Sequence, residues 1–160
     1  MSLRRSGCPL SLALEVFGDQ WSLLIVRDLM FKRRNTFTDF MDGGERIATN
    51  ILADRLRRLE EQGIIESDSD PSDRRRQIYR LTRKGADLAP VIVEMILWSD
   101  RYYDTDAPPA VVRRMQRSRK AFLAELRVNG QGATAPARTN TPRTTSQRHR
   151  SLGSSASKTR

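Results

Sequence analysis

The chain has one cysteine and one histidine in 160 residues, and each scarcity removes a class of function. A single cysteine, Cys8, cannot close an intramolecular disulfide, so a reducing cytoplasm is the default compartment. His149 is the sole imidazole, no Cys/His set has the spacing to hold zinc, and no glycine-rich phosphate loop follows a strand. Catalysis is left almost without candidate groups, so no enzyme, cofactor or metal site is expected. Aromatic residues make up 6% of the chain, and no aromatic-bearing sheet for stacking bases is visible, which argues against RNA. Nowhere do eighteen apolar residues run together, so no membrane span is expected. Arg4 and Arg5 precede a short apolar patch, but Glu15 and Asp19 interrupt it and no small-residue cleavage site follows, so no targeting signal is read there.

Acidic residues are also in short supply, with 19 against 29 basic ones and a formal net charge of +10. The excess is uneven. Residues 130–160 carry Arg138, Arg143, Arg148, Arg150, Lys158 and Arg160 and no acid. Net charge speaks to partners rather than to fold, and the expected partner is a polyanion. From about Asn129 onward Gly, Ala, Ser, Thr, Pro and Arg dominate, a composition that cannot bury enough surface to offset its ordering entropy. The expectation is one folded domain over 1–128 and a disordered basic tail over 129–160 that adds nonspecific attraction to such a polyanion.

Within the folded part, residues 36–83 organise the rest. Thr36 can cap a short helix, with Asp39 at its third position as a capping-box partner and Phe37 and Phe40 on its buried side. In the following helix Leu52, Leu56 and Leu59 are spaced by four and three, which makes one core-facing stripe at 3.6 residues per turn. The arithmetic then turns Asn50, Ala53, Asp54 and Arg57 outward, with Thr49 at the edge. Gly63 sits where a left-handed C-terminal cap belongs. Two strands follow around a basic loop that carries Arg74, Arg75 and Arg76. Adjacent cations on an exposed tip repel one another unless an anion is near, so a phosphate backbone or a narrow minor groove is their natural partner. This order is a helix-turn-helix with a wing, mainly α with a small β-wing. A helix with small and polar groups over its N-terminal half suits the major groove, where Asn pairs with adenine and Arg with guanine. Asp54 either accepts from cytosine or holds Arg58 by an i,i+4 pair, and the second is favoured.

The flanking segments read as helices. Residues 10–17 stop at Gly18, and Asp19 sits at a cap position before a helix that is apolar on two sides and therefore central. Arg34 and Asn35 are expected near phosphates. A long helix opened by Gly85 spaces Leu88, Val91, Met95, Trp98 and Tyr102 by three, four, three and four, a heptad-like seam. With Leu12 of the first helix, this seam is expected to meet a second copy of the chain, with packing onto the subunit's own first helix as the alternative and some of both expected. A last helix after Pro108 and Pro109 places Val112, Met115, Phe122 and Leu126 on one face, and packs either on the partner or on its own subunit. The DNA-reading core thus spans 19–85 and the C-terminal helices 86–128.

These residues resemble the HxlR-type transcriptional regulators, a winged-helix group related to the MarR regulators. The resemblance covers about residues 8–103. It rests on Cys8-Pro9, GDQWSLLIVRDL from Gly18 to Leu29, ILADRLRRLEEQGII from Ile51 to Ile65, YRLTRKG from Tyr79 to Gly85, and Trp98. The wing sequence DPSDRRR is closer to the MarR pattern, with Asp73 and Arg75 matching its Asp-x-Arg element. Ala48 stands where the family commonly has Ser, leaving Thr49 or the turn to cap the recognition helix. The resemblance implies a cytoplasmic, homodimeric bacterial or archaeal regulator on a pseudo-palindromic operator. Its recognition helix, 49–62, would lie in the major groove and its wing, 68–77, at the minor groove or phosphates. Thr36, Thr49, Asn50, Ala53, Asp54, Arg57, Arg74, Arg75 and Arg76 form the DNA-facing set. Cys8 matches a position through which some members sense oxidants or electrophiles, so an oxidant or small-molecule effector is a further expected partner, with an idle cysteine as the alternative. The rival reading is a winged helix used as a protein-protein adaptor without specific DNA binding.

Overall fold

The computed structural model describes residues 7–132; the expected basic tail beyond them lies outside the described residues. Helix α1 (Pro9–Phe17) starts at Pro9, whose missing N–H costs nothing at a first helical position. The Asp19 carboxylate accepts from the N–H groups of Trp21 and Ser22 and from the Ser22 hydroxyl, which opens α2 (Ser22–Arg27). Burial pushes the Asp19 carboxyl up, but these bonds and Arg55 bring it below the ordinary carboxylate value. Helix α2 runs directly into a π-helical turn, Asp28–Lys32, that ends at Arg33 in the left-handed region (φ 50°).

Helices α3 (Phe37–Met41) and α4 (Thr49–Glu61) come next. The Leu52, Leu56 and Leu59 stripe is buried. Gly63 takes a left-handed φ of 65° and α4 closes as a Schellman motif, with Ile64 N–H donating to Leu59 O and Gly63 N–H to Glu60 O. Strands β1 (Ile65–Ser69) and β2 (Gln77–Leu81) pair antiparallel with Ile65 opposite Leu81 and Ser69 opposite Gln77. On the other edge of β2, Tyr79 N–H donates to Asn35 O at 2.7 Å, which ties the wing to the segment that leads into α3.

The single helix expected from Gly85 is two. Thr82 caps α5 (Arg83–Ala86), and α6 (Ala89–Tyr102) begins after Leu88. Pro90 has no N–H to continue the ladder and its ring would collide with the carbonyl four residues back, so α5 cannot extend through it. The last helix is also two, α7 (Pro109–Arg117) and α8 (Arg119–Gly130), broken at Ser118. Both pack on their own subunit. Val112, Met115, Phe122 and Leu126 are buried, and the Phe122 ring lies 6.0 Å from Phe31. Helix α8 runs past the expected boundary at 128, because Gly130 sits against Leu81 and Met30 so closely that a Cβ there would overlap Leu81. Arg33 Nη2 also donates to Asn129 Oδ1 at 2.9 Å. Among the described residues no helix is long and apolar enough to cross a membrane.

Candidate nucleic-acid interface

A buried charge ties down the turn that leads into α4. Asp28 is 4% exposed and lies within reach of three cations. Arg27 Nε donates to its Oδ1 at 2.8 Å, Arg34 Nη1 to its Oδ2 at 3.1 Å, and Lys32 Nζ is 3.8 Å away. The two arginines carry the link onward to the turn before α4. Arg27 Nη1 donates to Glu45 at 2.9 Å, and Arg34 Nη1 to the carbonyl of Gly43 at 2.9 Å. Burial alone would lower the Arg27 pKa, and the bonds to Asp28 and Glu45 more than reverse it. The expectation that Arg34 lies near phosphates is therefore corrected: it is turned inward as a clamp on this turn.

Thr36 is corrected in the same way. It is 2% exposed, its hydroxyl accepts from Asp39 N–H at 3.2 Å, and the Asp39 carboxylate accepts from Thr36 N–H at 3.2 Å. The capping box read from the sequence is present, and because it uses and buries the Thr36 side chain, that residue leaves the DNA-facing set.

On α4, Thr49, Asn50 and Ala53 are exposed. Ala48 is the N-cap and supplies no side-chain acceptor. Thr49 is the first helical residue rather than the cap, so no side chain replaces the missing serine. Asp54 gathers three arginines, with Arg57 Nη2 at 2.8 Å, Arg58 Nε at 2.9 Å and Arg55 Nη2 at 3.3 Å. The Arg57 bond leads in holding the Asp54 carboxyl below its ordinary value. Arg57 is also gripped by Glu61 at 2.5 Å, so its pKa is raised by Glu61 first and Asp54 second. Its guanidinium is at the surface but bonded along its own helix.

The wing tip is folded by its acids. Asp70 accepts from the N–H and hydroxyl of Ser72, Asp70 N–H donates to Arg76 O, and Arg76 N–H donates to Asp73 O. Asp73 also accepts from Arg75 N–H at 3.1 Å. This hairpin leaves the Arg75 side chain 93% exposed and Arg76 only 3.9 Å from Asp70 at its nearest. Arg74 has no ion pair among the described residues. Two arginines outside the expected set flank these elements in the chain: Arg80, half-buried and paired across the strands with Asp68, and Arg46, exposed with φ 56° in the turn before α4. The strand register signals Arg80, and nothing local signals Arg46.

A second surface lies apart. Val91, Met95, Trp98 and Tyr102 of α6 are all exposed, and Trp98 meets Tyr102 and Tyr103 in tilted contacts with ring centroids 5.6 and 5.7 Å apart. Leu88, expected on this seam, is half-buried against the subunit's own core. Helix α1 exposes Leu10 and Leu14 rather than the half-buried Leu12.

A helix-turn-helix seated on a buried leucine stripe, a recognition-type helix with no acid before Asp54 and a basic two-stranded hairpin define a winged helix-turn-helix of the transcription-regulator class. The chain belongs to the HxlR-like helix-turn-helix family, whose model matches residues 16–107. It is 36% identical over 114 residues, 71% of each chain, to an HTH-type transcriptional regulator of Mycobacterium tuberculosis that is itself uncharacterised. Among solved structures, PA1607, described as a transcription factor, superposes with a TM-score of 0.59 at 38% identity, covering 68% of this chain and 74% of that one. The reduced form of the transcriptional regulator YodB from Bacillus subtilis superposes with a TM-score of 0.51 at 32% identity, covering 61% and 95%.

Proposed function

We propose that this protein is a cytoplasmic, sequence-specific regulator that binds double-stranded DNA as a homodimer on a pseudo-palindromic operator. The recognition helix, 49–62, enters the major groove with Thr49, Asn50 and Ala53 leading, and Arg57 and Asp54 follow deeper along the helix. Arg57 reaches a base only by exchanging Asp54 and Glu61 for it. The wing, 68–77, lays Arg74, Arg75 and Arg76 along phosphates or the minor groove. The observation that carries this reading is the wing tip. Its own acids are used to shape the hairpin, which leaves the Arg75 guanidinium in water with only a 3.4 Å contact to Asp73. That arrangement suits an external polyanion and does little for the fold.

Two substitutions separate positioning from reading. Arg75→Ala is expected to weaken binding to every duplex alike and to lower the slope of log affinity against log salt by about 1. Asn50→Ala is expected to relax preference at one base pair per half-site, at a cost of about 1–3 kcal/mol there, and to leave the slope alone. Fluorescence anisotropy on operator and random duplexes over a salt series checks both. An unchanged slope in Arg75→Ala removes the wing contact, and no duplex binding at low salt in the wild type favours the adaptor reading.

The same proposal extends to Cys8. It is exposed at the N-cap of α1, and YodB is known in a reduced form. Oxidation of Cys8 would couple or repack the helices that set the spacing of the two recognition helices. Cys8→Ser is expected to abolish any effect of diamide on DNA binding, and a persisting effect excludes this thiol.

A further inference from the structure

We infer that helix α8 delivers the segment after it, residues 133–160, to the wing, and that this segment is a second, sequence-independent grip on the DNA phosphates beside the wing. This role rests on the DNA-binding reading above. It adds a contact from outside the 16–107 stretch matched by the family.

The end of α8 is fixed to the winged domain at three points. Arg33 Nη2 donates to Asn129 Oδ1 at 2.9 Å. Gly130 lies against Leu81 and Met30, where a Cβ would overlap the Leu81 side chain. Gly132 takes a left-handed φ of 75° on the Arg80 side chain, and a Cβ there would crowd the Arg80 Cδ. A side chain at either glycine would push the helix end off β2, so the close approach needs both. The chain therefore leaves Gly132 beside Arg80, four residues along the strand from Arg76, a distance of about 13 Å. A single cleft of about 400 Å³ joins the two places, with Arg33, Asn35, Arg76 and Arg80 lining it together with Gly132.

Composition supplies the partner. Residues 133–160 carry Arg138, Arg143, Arg148, Arg150, Lys158 and Arg160 and no acid. The carboxylates around the exit are already bonded, Asp68 to Arg80, Asp70 to Ser72 and Asp39 to the Thr36 N–H. The protein surface there offers these cations little, whereas a duplex carries one negative charge per roughly 1.7 Å of its axis. Arg138 can lie at most about 20 Å from Gly132 along an extended chain, which is enough to pass the wing loop. Contacts to phosphate carry no sequence information, so the segment adds affinity and salt dependence without changing which site is chosen.

The test uses the full chain with every one of these cations replaced: Arg138→Gln, Arg143→Gln, Arg148→Gln, Arg150→Gln, Lys158→Gln and Arg160→Gln together. None of them lies in the described fold. Fluorescence anisotropy on a random-sequence duplex over a salt series is expected to give a slope of log affinity against log salt smaller by about 3 or more. An unchanged slope overturns the grip. The ratio of affinities for a duplex selected by the wild type and for random sequence is expected to stay within roughly threefold. A larger fall means that the segment reads bases and overturns the phosphate role. Placement is read separately, with iron-EDTA attached to Ala137→Cys in a Cys8→Ser chain. It is expected to cut the selected duplex within one helical turn of the backbone positions whose hydroxyl-radical protection is lost in Arg75→Ala. Cuts elsewhere, no cuts, or no protection lost in Arg75→Ala overturn the placement beside the wing. A wild type that binds no duplex at low salt sinks the DNA-binding reading and this grip together. Ordinary wild-type binding matched by the glutamine variant sinks the grip alone.

Discussion

Asp28→Ala is expected to destabilise the protein by about 3–5 kcal/mol, a loss that lowers the unfolding midpoint on the order of 10–20 °C for a folded part of this size. The magnitude follows from what is left behind. Asp28 is buried, and its removal strands Arg27 and Arg34, which are themselves mostly covered, with side chains 20% and 25% exposed. Breaking one side of such a cluster costs far more than the cluster contributes in total, because the survivors remain desolvated without a counterion. Asp28→Asn keeps the shape and one acceptor and should cost clearly less. The surface pairs of Arg57 with Asp54 and Glu61 give a contrast: at 58% exposure of Arg57 they are screened and should contribute little. Because Arg27 and Arg34 also hold Glu45 and the Gly43 carbonyl, any Asp28→Ala protein that remains folded should show faster amide exchange in the turn before α4. Thermal and urea unfolding followed by circular dichroism measures the first effect. A change under 1 kcal/mol would show that the arginines find other partners or water.

What the sequence displayed was whatever depends on neighbours a few residues apart. The spacing of Leu52, Leu56 and Leu59 gave both the buried stripe of α4 and, by subtraction, the exposure of Thr49, Asn50 and Ala53. Gly63 marked the Schellman end, and Thr36 with Asp39 marked a capping box. The same Thr36 shows the limit of such reasoning: as a cap its hydroxyl is spent, so it cannot also be an outward contact, and only the fold shows how completely it is covered. The π-helical turn at Asp28–Lys32 left no trace, because over five residues its side-chain periodicity is hardly separable from that of an α-helix. The Ser118 break carries neither Pro nor Gly. The fold-back of α8 rests on Phe31 meeting Phe122, residues ninety-one apart, and an amphipathic face does not say which surface it will meet. For the same reason the sequence points Arg34 outward: a cation near a helix start looks alike whether its anion is a phosphate or a buried Asp28.

Trp98→Glu is expected to turn the protein from dimer to monomer and to take operator affinity down with it. In the single chain Trp98 is 56% exposed, and Val91, Met95 and Tyr102 beside it are 47%, 51% and 62% exposed. Large apolar side chains scattered singly are ordinary at a surface, but four on one helical seam with a cluster of tilted aromatic rings form a contiguous patch of the kind that marks an interface. A twofold contact uses the same patch on both copies, so a single substitution acts twice. With central aromatic anchors costing about 2 kcal/mol or more each on truncation, two copies lose at least about 4 kcal/mol, roughly a thousandfold in the dimer constant, before the cost of burying two like charges. The fold itself should not suffer, since the Trp98 ring is largely outside the subunit core; a cooperative unfolding transition and a wild-type circular dichroism spectrum would establish that the variant is folded, with a midpoint lowered only by the lost association. Sedimentation at micromolar concentration should then give the single-chain mass for the variant and twice that mass for the wild type. On DNA, a monomer engages one half-site and forfeits the second as an effectively intramolecular event, so specific affinity should drop by two orders of magnitude or more while weak, salt-sensitive binding to any duplex persists. A Trp98→Glu protein that sediments as a dimer would move the interface elsewhere, with α1 and its exposed Leu10 and Leu14 the next surface to alter. A wild type that sediments as a single chain would leave the recognition helices unpaired and the palindromic operator without a reader.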